Sequence, residues 1–207
     1  MVAHQAAPKA SFLPAVSSGS VQLDLFVAAA PKVYTGQTIF LFPALEPADM
    51  GSILQPVLQY GPSFAGGGNY WAITSVLGGK LWSGNYYHSA LRKVSTGEVI
   101  SGLMYYIGSC QDRGCIWGVA MRNSKNTTNL TLNARADTSW RWVFGGAIEV
   151  YNINSCSKYP ATYDNFYSFE IQDFNNTKHT ASWTPNINVH TCGEKVTYNS
   201  NMINLYY

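Results

Sequence analysis

Charge is scarce in this chain: only 12% of its 207 residues are Asp, Glu, Lys or Arg, 13 basic against 11 acidic, for a formal net charge of +2. The basic residues are scattered singly, so there is no basic stripe of the kind that neutralises nucleic-acid phosphates. No apolar run approaches the ~20 residues needed to cross a bilayer. Nucleic acid and membrane are therefore not expected partners. No stretch sustains a 3.6-residue apolar period, which argues against a helical fold. A GxSxG elbow, an HExxH helix and a GxGxxG turn opening a helix are all missing, and neither a metal nor another cofactor is expected. The glycine run at 65–69 reads as a hairpin tip. The first residues, Met1-Val2-Ala3-His4, lack the hydrophobic stretch of a secretory signal, so the chain reads as a mature or trimmed form.

Aromatic residues are plentiful. They make up 14% of the chain, with 14 Tyr and 6 Trp, a profile of a polar-uncharged, β-rich protein. Turn signals such as Gly61-Pro62, Gly78-Gly79, Ser83-Gly84-Asn85, Ser95-Thr96-Gly97 and Asn175-Asn176 punctuate short apolar segments. They predict strands near 21–28, 37–43, 51–60, 69–77, 86–94, 97–107, 115–122, 128–133, 140–152, 165–173, 178–183 and 194–206. The expected fold is all-β, two antiparallel sheets packed as a sandwich. Residues 1–20, rich in Ala, Pro and Ser, read as a leader or an edge-strand lead-in, and 21–207 as one domain.

Four cysteines stand at 110, 115, 156 and 192. The first two close a loop short enough for a disulfide across a hairpin tip, which predicts Cys110–Cys115 and Cys156–Cys192. Zinc is the competing reading, but the spacing contains no CxxC pair. Three Asn-x-Thr sequons, at Asn126, Asn129 and Asn175, add to the even cysteine count and predict a secreted, extracellular glycoprotein.

One carboxylate stands out. Glu149 lies in the apolar run from Val143 to Tyr151, with no other acid between Asp137 and Asp164. In a strand it shares a face with Ala147 and Tyr151. A carboxyl on a half-apolar face is suited to proton transfer, and the bland alternative is a solvent-facing Glu or one paired with Arg141. A second feature is Ser52-Ile53-Leu54-Gln55-Pro56-Val57-Leu58-Gln59-Tyr60, in which alternation puts Ile53, Gln55, Val57 and Gln59 on one face. Pro56 suggests an edge strand or a bulge. A Gln amide near a carboxylate can orient water and donate to a developing oxyanion. The alternative is that both amides sit on a solvated face.

Taken in order, these residues resemble the glutamic peptidases of fungi, the eqolisins. Thr38-Ile39-Phe40-Leu41-Phe42-Pro43 is similar to an opening strand, Ile53-Leu54-Gln55 to the family's ILQ strand, and Tyr70-Trp71-Ala72-Ile73 to the aromatic strand after it. Val94-Ser95-Thr96-Gly97-Glu98-Val99-Ile100 is similar to its GD hairpin, and Gly146-Ala147-Ile148-Glu149 to the strand carrying the catalytic Glu. The similarity runs over residues 36–180. It implies a concanavalin-like sandwich, or jelly roll, whose concave face binds peptide. It implies further that Gln55 is the oxyanion-polarising amide and Glu149 the general acid/base, close enough for one water to touch both, with Tyr70 and Trp71 shaping the groove beside them. Gln59, on the Gln55 face, and His88, which follows two aromatics, are further candidates for substrate contact on their own positions.

The same architecture also serves carbohydrate binders. A polysaccharide lyase needs a neutraliser for a uronate carboxylate and a Tyr or His to move a proton, and Tyr86, Tyr87, His88 and Arg92 supply such a set beside Gln55. A lectin needs only aromatic platforms and amides. The partner is thus a peptide or a polysaccharide, and the protein is expected to be a monomer.

Overall fold

Alternation in two neighbouring strands sets the architecture. In β4 (Thr38–Pro47) Ile39, Leu41 and Leu45 are fully buried, and in β5 (Ser52–Ser63) so are Leu54 and Leu58. These residues point into the space between two sheets, while Phe40, Phe42, Gln55 and Val57 point the other way. The structure, a computed structural model, describes residues 4–6, 9–11, 18–111, 114–134, 140–173, 175–188 and 190–207, apart from the side chains of 4–6, 9–11, 18, 108–111, 114–115 and 133–134.

The remaining strands are β1 (His4–Ala6), β2 (Lys9–Ser11), β3 (Ser18–Phe26), β6 (Gly66–Gly79), β7 (Tyr86–His88), β8 (Arg92–Lys93), β9 (Val99–Gln111), β10 (Gly114–Arg122), β11 (Thr127–Ala134), β12 (Trp140–Tyr151), β13 (Asp164–Asp173), β14 (Lys178–His179), β15 (Lys195–Asn199) and β16 (Met202–Tyr206). The first sheet runs β1-β12-β4-β5-β6-β7, with β2 also on β12 and β8 also on β6. The second runs β11-β10-β9-β3-β13-β16-β15, with β14 on β13. All pairings are antiparallel. The expected two-sheet sandwich is what the chain forms. Between the sheets lie Val21, Leu23 and Leu25 of β3, Trp71, Ile73 and Leu77 of β6, Met104, Trp117, Trp140 and Phe166.

Four details refine the sequence reading. Within the 1–20 segment, β1 pairs His4, Gln5 and Ala6 with Val150, Glu149 and Ile148, and β2 pairs Lys9 with Phe144. The segments read as single strands at 86–94 and 194–206 are each two short strands, because Ser89-Ala90-Leu91 and the Asn199–Asn201 turn interrupt them. Only two residues of the 178–183 segment are strand.

The fourth concerns Pro56, which lies on an internal strand rather than an edge. The pairs Leu41–Leu58 and Leu45–Leu54 fix a register that sets Pro43 opposite Pro56. Neither proline carries an N–H, so no ladder bond joins them, and the two strands are unpaired between these flanking positions. Both rings pack toward the second sheet at Gly102, where a Cβ would fall 2.9 Å from Pro56 and 3.7 Å from Pro43. Glycine there lets two prolines sit back to back inside a sandwich.

Cys156 and Cys192 form a disulfide, Cα atoms 5.4 Å apart and 36 residues apart in sequence. The Cys110–Cys115 pair falls outside the described side chains. Asn129 and Asn175 are exposed, and Asn126 is half-buried with its amide donating to the Lys93 carbonyl.

Candidate active site

The first sheet carries a second apolar layer on its outer face. Phe42, Ala44, Val57, Val76, Phe144 and Ala147 are buried there, with Phe40, Ile53 and Trp142 packed against them. Phe40, Phe42, Ile53, Val57 and Val76 of this layer form the floor of a cavity of about 710 Å³, within the range of ligand pockets. Its polar groups are few: Thr38, Glu46, Ser52, Gln55, Gln59, Ser63, Thr74, Glu149, Tyr151 and Asn152 line it, together with the exposed rim residues Met50, Phe64 and Tyr86. No Lys, Arg or His is among its described lining residues.

Pairing registers place these groups in rows across the sheet. One row is Glu149, Phe40 and Gln59. Two rows further along, Phe144 pairs with Ala44, and Gln55 with Val76 and then His88. Gln55 and Glu149 therefore share a face and a cavity. They stand two rows and two strand gaps apart, which puts their Cα atoms about 16 Å from each other.

Each polar group has a distinct environment. Tyr151, two residues beyond Glu149 on the same face, donates its phenol O–H to Glu149 Oε1. The phenol's own ionisation is pushed well above the usual tyrosine range, first by burial and then by this bond and charge. Its ring stands edge-on to Phe40, centroids 6.0 Å apart. Arg141 does not pair with Glu149, because its guanidinium lies over the Trp142 ring. The Gln55 carbonyl oxygen is buried without a hydrogen-bond partner, an acceptor with nothing to accept from.

Gln59 lies in the same row as Glu149, yet its amide is committed to structure. Nε2 donates to the carbonyls of Gly61 and Gly66 at 2.7 and 2.8 Å, and Oε1 accepts from Ser63 Oγ at 2.8 Å. The residue is 1% exposed and pins the β5–β6 hairpin, which forms one wall of the cavity. The β5–β6 register shifts at Gly61, where only glycine fits: its φ is +90°, and a Cβ would meet the Gln37 carbonyl oxygen at 2.0 Å.

Several expected contacts fall elsewhere. Trp71 is 3% exposed in the core between the sheets, packed on Tyr60, because it sits on the opposite face of β6 from Thr74 and Val76. Tyr70 lies outside the cavity beneath the Lys93 ammonium, 4.1 Å from its ring centre. His88 is exposed, its ring edge-on to Phe64 at 5.4 Å and its Nδ1 3.0 Å from the Ser89 carbonyl. Of the lyase set Tyr86, Tyr87, His88 and Arg92, only Tyr86 lines the cavity, since Tyr87 projects to the other side of β7 and Arg92 is exposed on β8. Tyr151 is the residue that sequence reasoning misses, although its place on the Glu149 face is visible in the alternation.

The fold and site define a two-sheet β-sandwich with a groove on the outer face of one sheet, holding one Tyr-bonded carboxylate and one open amide. Among solved structures, the chain superposes on scytalido-glutamic peptidase bound to a peptide-based transition-state analog, at a TM-score of 0.64 and 9% identity, covering 99% of this chain and 98% of that one. It matches SCP-B, a member of the eqolisin family of peptidases in complex with the tripeptide Ala-Ile-His, at the same TM-score and coverage and 10% identity. No family model and no curated protein sequence matches the chain. At that identity the likeness is one of fold.

Proposed function

We propose that this protein is a secreted glutamic-peptidase-like hydrolase, which binds an extended peptide along the groove and cleaves it with a water activated by Glu149. The observation that carries this reading is the lining of the cavity. Its floor of Phe, Val and Ile suits peptide side chains, and no cation among its described residues is available to neutralise a uronate carboxylate. A uronate lyase needs that neutraliser, so the groove favours peptide over uronate polymer.

Glu149 takes a proton from water as general base and returns it to the leaving amine as general acid. Gln55 is the amide of the dyad, donating from Nε2 to the carbonyl oxygen under attack. A water on the carboxylate, the carbonyl it attacks and a hydrogen bond from the amide together span about 9 Å. The two side chains, leaning toward each other over the floor, cover the rest of the gap. Catalysis therefore needs substrate between them. A disulfide between Cys156 and Cys192 and three sequons support an oxidising, extracellular setting.

The test is an assay of unfolded protein substrate across acidic pH, run beside an assay of uronate polymers at neutral pH. New peptide termini are expected from the first and no unsaturated uronate from the second. Gln55→Ala should lower peptide cleavage by about 2.7–4 kcal/mol of transition-state stabilisation. Depolymerised uronate, lost on His88→Ala, would replace this reading with the lyase.

A further inference from the structure

We propose that Tyr151 is a catalytic residue, its phenol O–H being a donor to the oxyanion that forms when the water held by Glu149 attacks the scissile carbonyl. This rests on the reading of Glu149 as general base and adds a group to it.

Geometry makes the case. Tyr151 and Glu149 occupy one face of β12 and line the same cavity. The Tyr151 hydroxyl reaches back along the strand to hydrogen-bond the Glu149 carboxylate, so its tip stands one hydrogen bond from the group that holds the water. A carbonyl carbon in attack geometry is about 3 Å from that water, which brings the carbonyl oxygen within reach of the phenol. The ring cannot drift far, because its edge is held by Phe40 and its backbone pairs with Thr38. Burial and the adjacent carboxylate keep the phenol protonated, so a donor is available throughout the acidic and neutral range.

Charge movement during the reaction turns this bond into a catalytic one. Before attack Glu149 is an anion and the phenol donates to it. The water oxygen then bonds to the carbonyl carbon, its proton passes to Glu149, and the carbonyl π electrons move onto oxygen. Negative charge has left the carboxylate and appeared on the oxyanion, so the phenol donates to the oxyanion instead. In the second step the Glu149 carboxyl gives its proton to the amide nitrogen, the C–N bond breaks, and the carbonyl re-forms as a carboxylic acid. An interaction that strengthens as charge develops lowers the barrier rather than the substrate's binding constant.

The decisive variant is Tyr151→Phe, which keeps the ring and its packing on Phe40. The expected result is a fall in kcat of about 10²–10³-fold with KM little changed, and an equal loss of affinity for a phosphinic peptide that mimics the tetrahedral intermediate. Unchanged binding of a ground-state peptide by the same variant confirms that the groove is intact. A kcat close to the parent's overturns the proposal. So does a lowered kcat with phosphinic-peptide affinity unchanged, since that pattern means Tyr151 only positions Glu149. Activity lost in Glu149→Gln but kept in Tyr151→Phe sinks this inference alone, whereas activity kept in Glu149→Gln sinks the hydrolase reading with it.

Discussion

Glu149→Gln is expected to abolish peptide cleavage while moving the thermal midpoint by no more than about 2 °C. The substitution is nearly isosteric. A Gln carbonyl oxygen accepts the Tyr151 O–H as the carboxylate does, and the half-buried site loses no ion pair among the described residues. What disappears is the capacity to take and return a proton, which by itself contributes about 10²–10⁴-fold. No other described carboxylate substitutes for it. Glu46, the second acid of the cavity, pairs in register with Trp142, several rows along β4 from the Glu149 row. Initial rates on a peptide substrate and a melting curve decide the matter. A Gln variant with near-parental rate means the acid/base group is elsewhere.

The second large effect concerns stability and pH. Asp164, at the start of β13, is fully buried, and burial raises its carboxyl pKa to about 8, outweighing the opposing hydrogen bond from the Tyr207 hydroxyl. Its Oδ1 has no hydrogen-bond partner and the acid forms no ion pair among the described residues. Around it, Tyr207 stacks on Tyr159, centroids 5.0 Å apart, and the Tyr159 hydroxyl donates to Glu194. A group whose folded pKa lies above its unfolded value favours the folded state below the unfolded pKa, and that contribution is lost as pH rises through the folded one. The window here is pH ~4 to ~8, and the loss is on the order of 5 kcal/mol. Urea denaturation should therefore show the protein more stable at pH 4–5 than at pH 8. Asp164→Asn should flatten the profile and stand above the parent at pH 8. Equal stability of parent and variant at both pH values contradicts the assignment.

Most of the fold is legible in strand alternation and turn residues, because Ser83-Gly84-Asn85 and Ser95-Thr96-Gly97 break the chain between strands, whereas Gly61-Pro62, read as a turn, lies inside β5 and pairs with Gly68 and Gly67. The Ile53, Gln55, Val57, Gln59 face is readable for the same reason, as all four residues do line the cavity. What alternation does not reveal is which Gln is free. Gln55 and Gln59 are equivalent by that pattern, and only the curl of the hairpin onto Gln59 separates them. Placing Trp71 in the groove beside Tyr70 conflicts with the rule that adjacent strand residues face opposite ways. The offset between Gln55 and Glu149 depends on cross-strand register, and the burial of Asp164 on the packing of distant residues such as Tyr207. Neither leaves a local trace.

The central claim is that this groove cleaves peptide bonds by direct attack of a Glu149-activated water. The measurement that reaches it is mass spectrometry of a peptide incubated with the intact protein in ¹⁸O-water at acidic pH. The account expects two linear products, one ¹⁸O atom in each newly formed carboxyl group after a single turnover, and no labelled adduct on the protein. Recovery of only the uncut peptide across the acidic range, from protein shown to be folded, contradicts it.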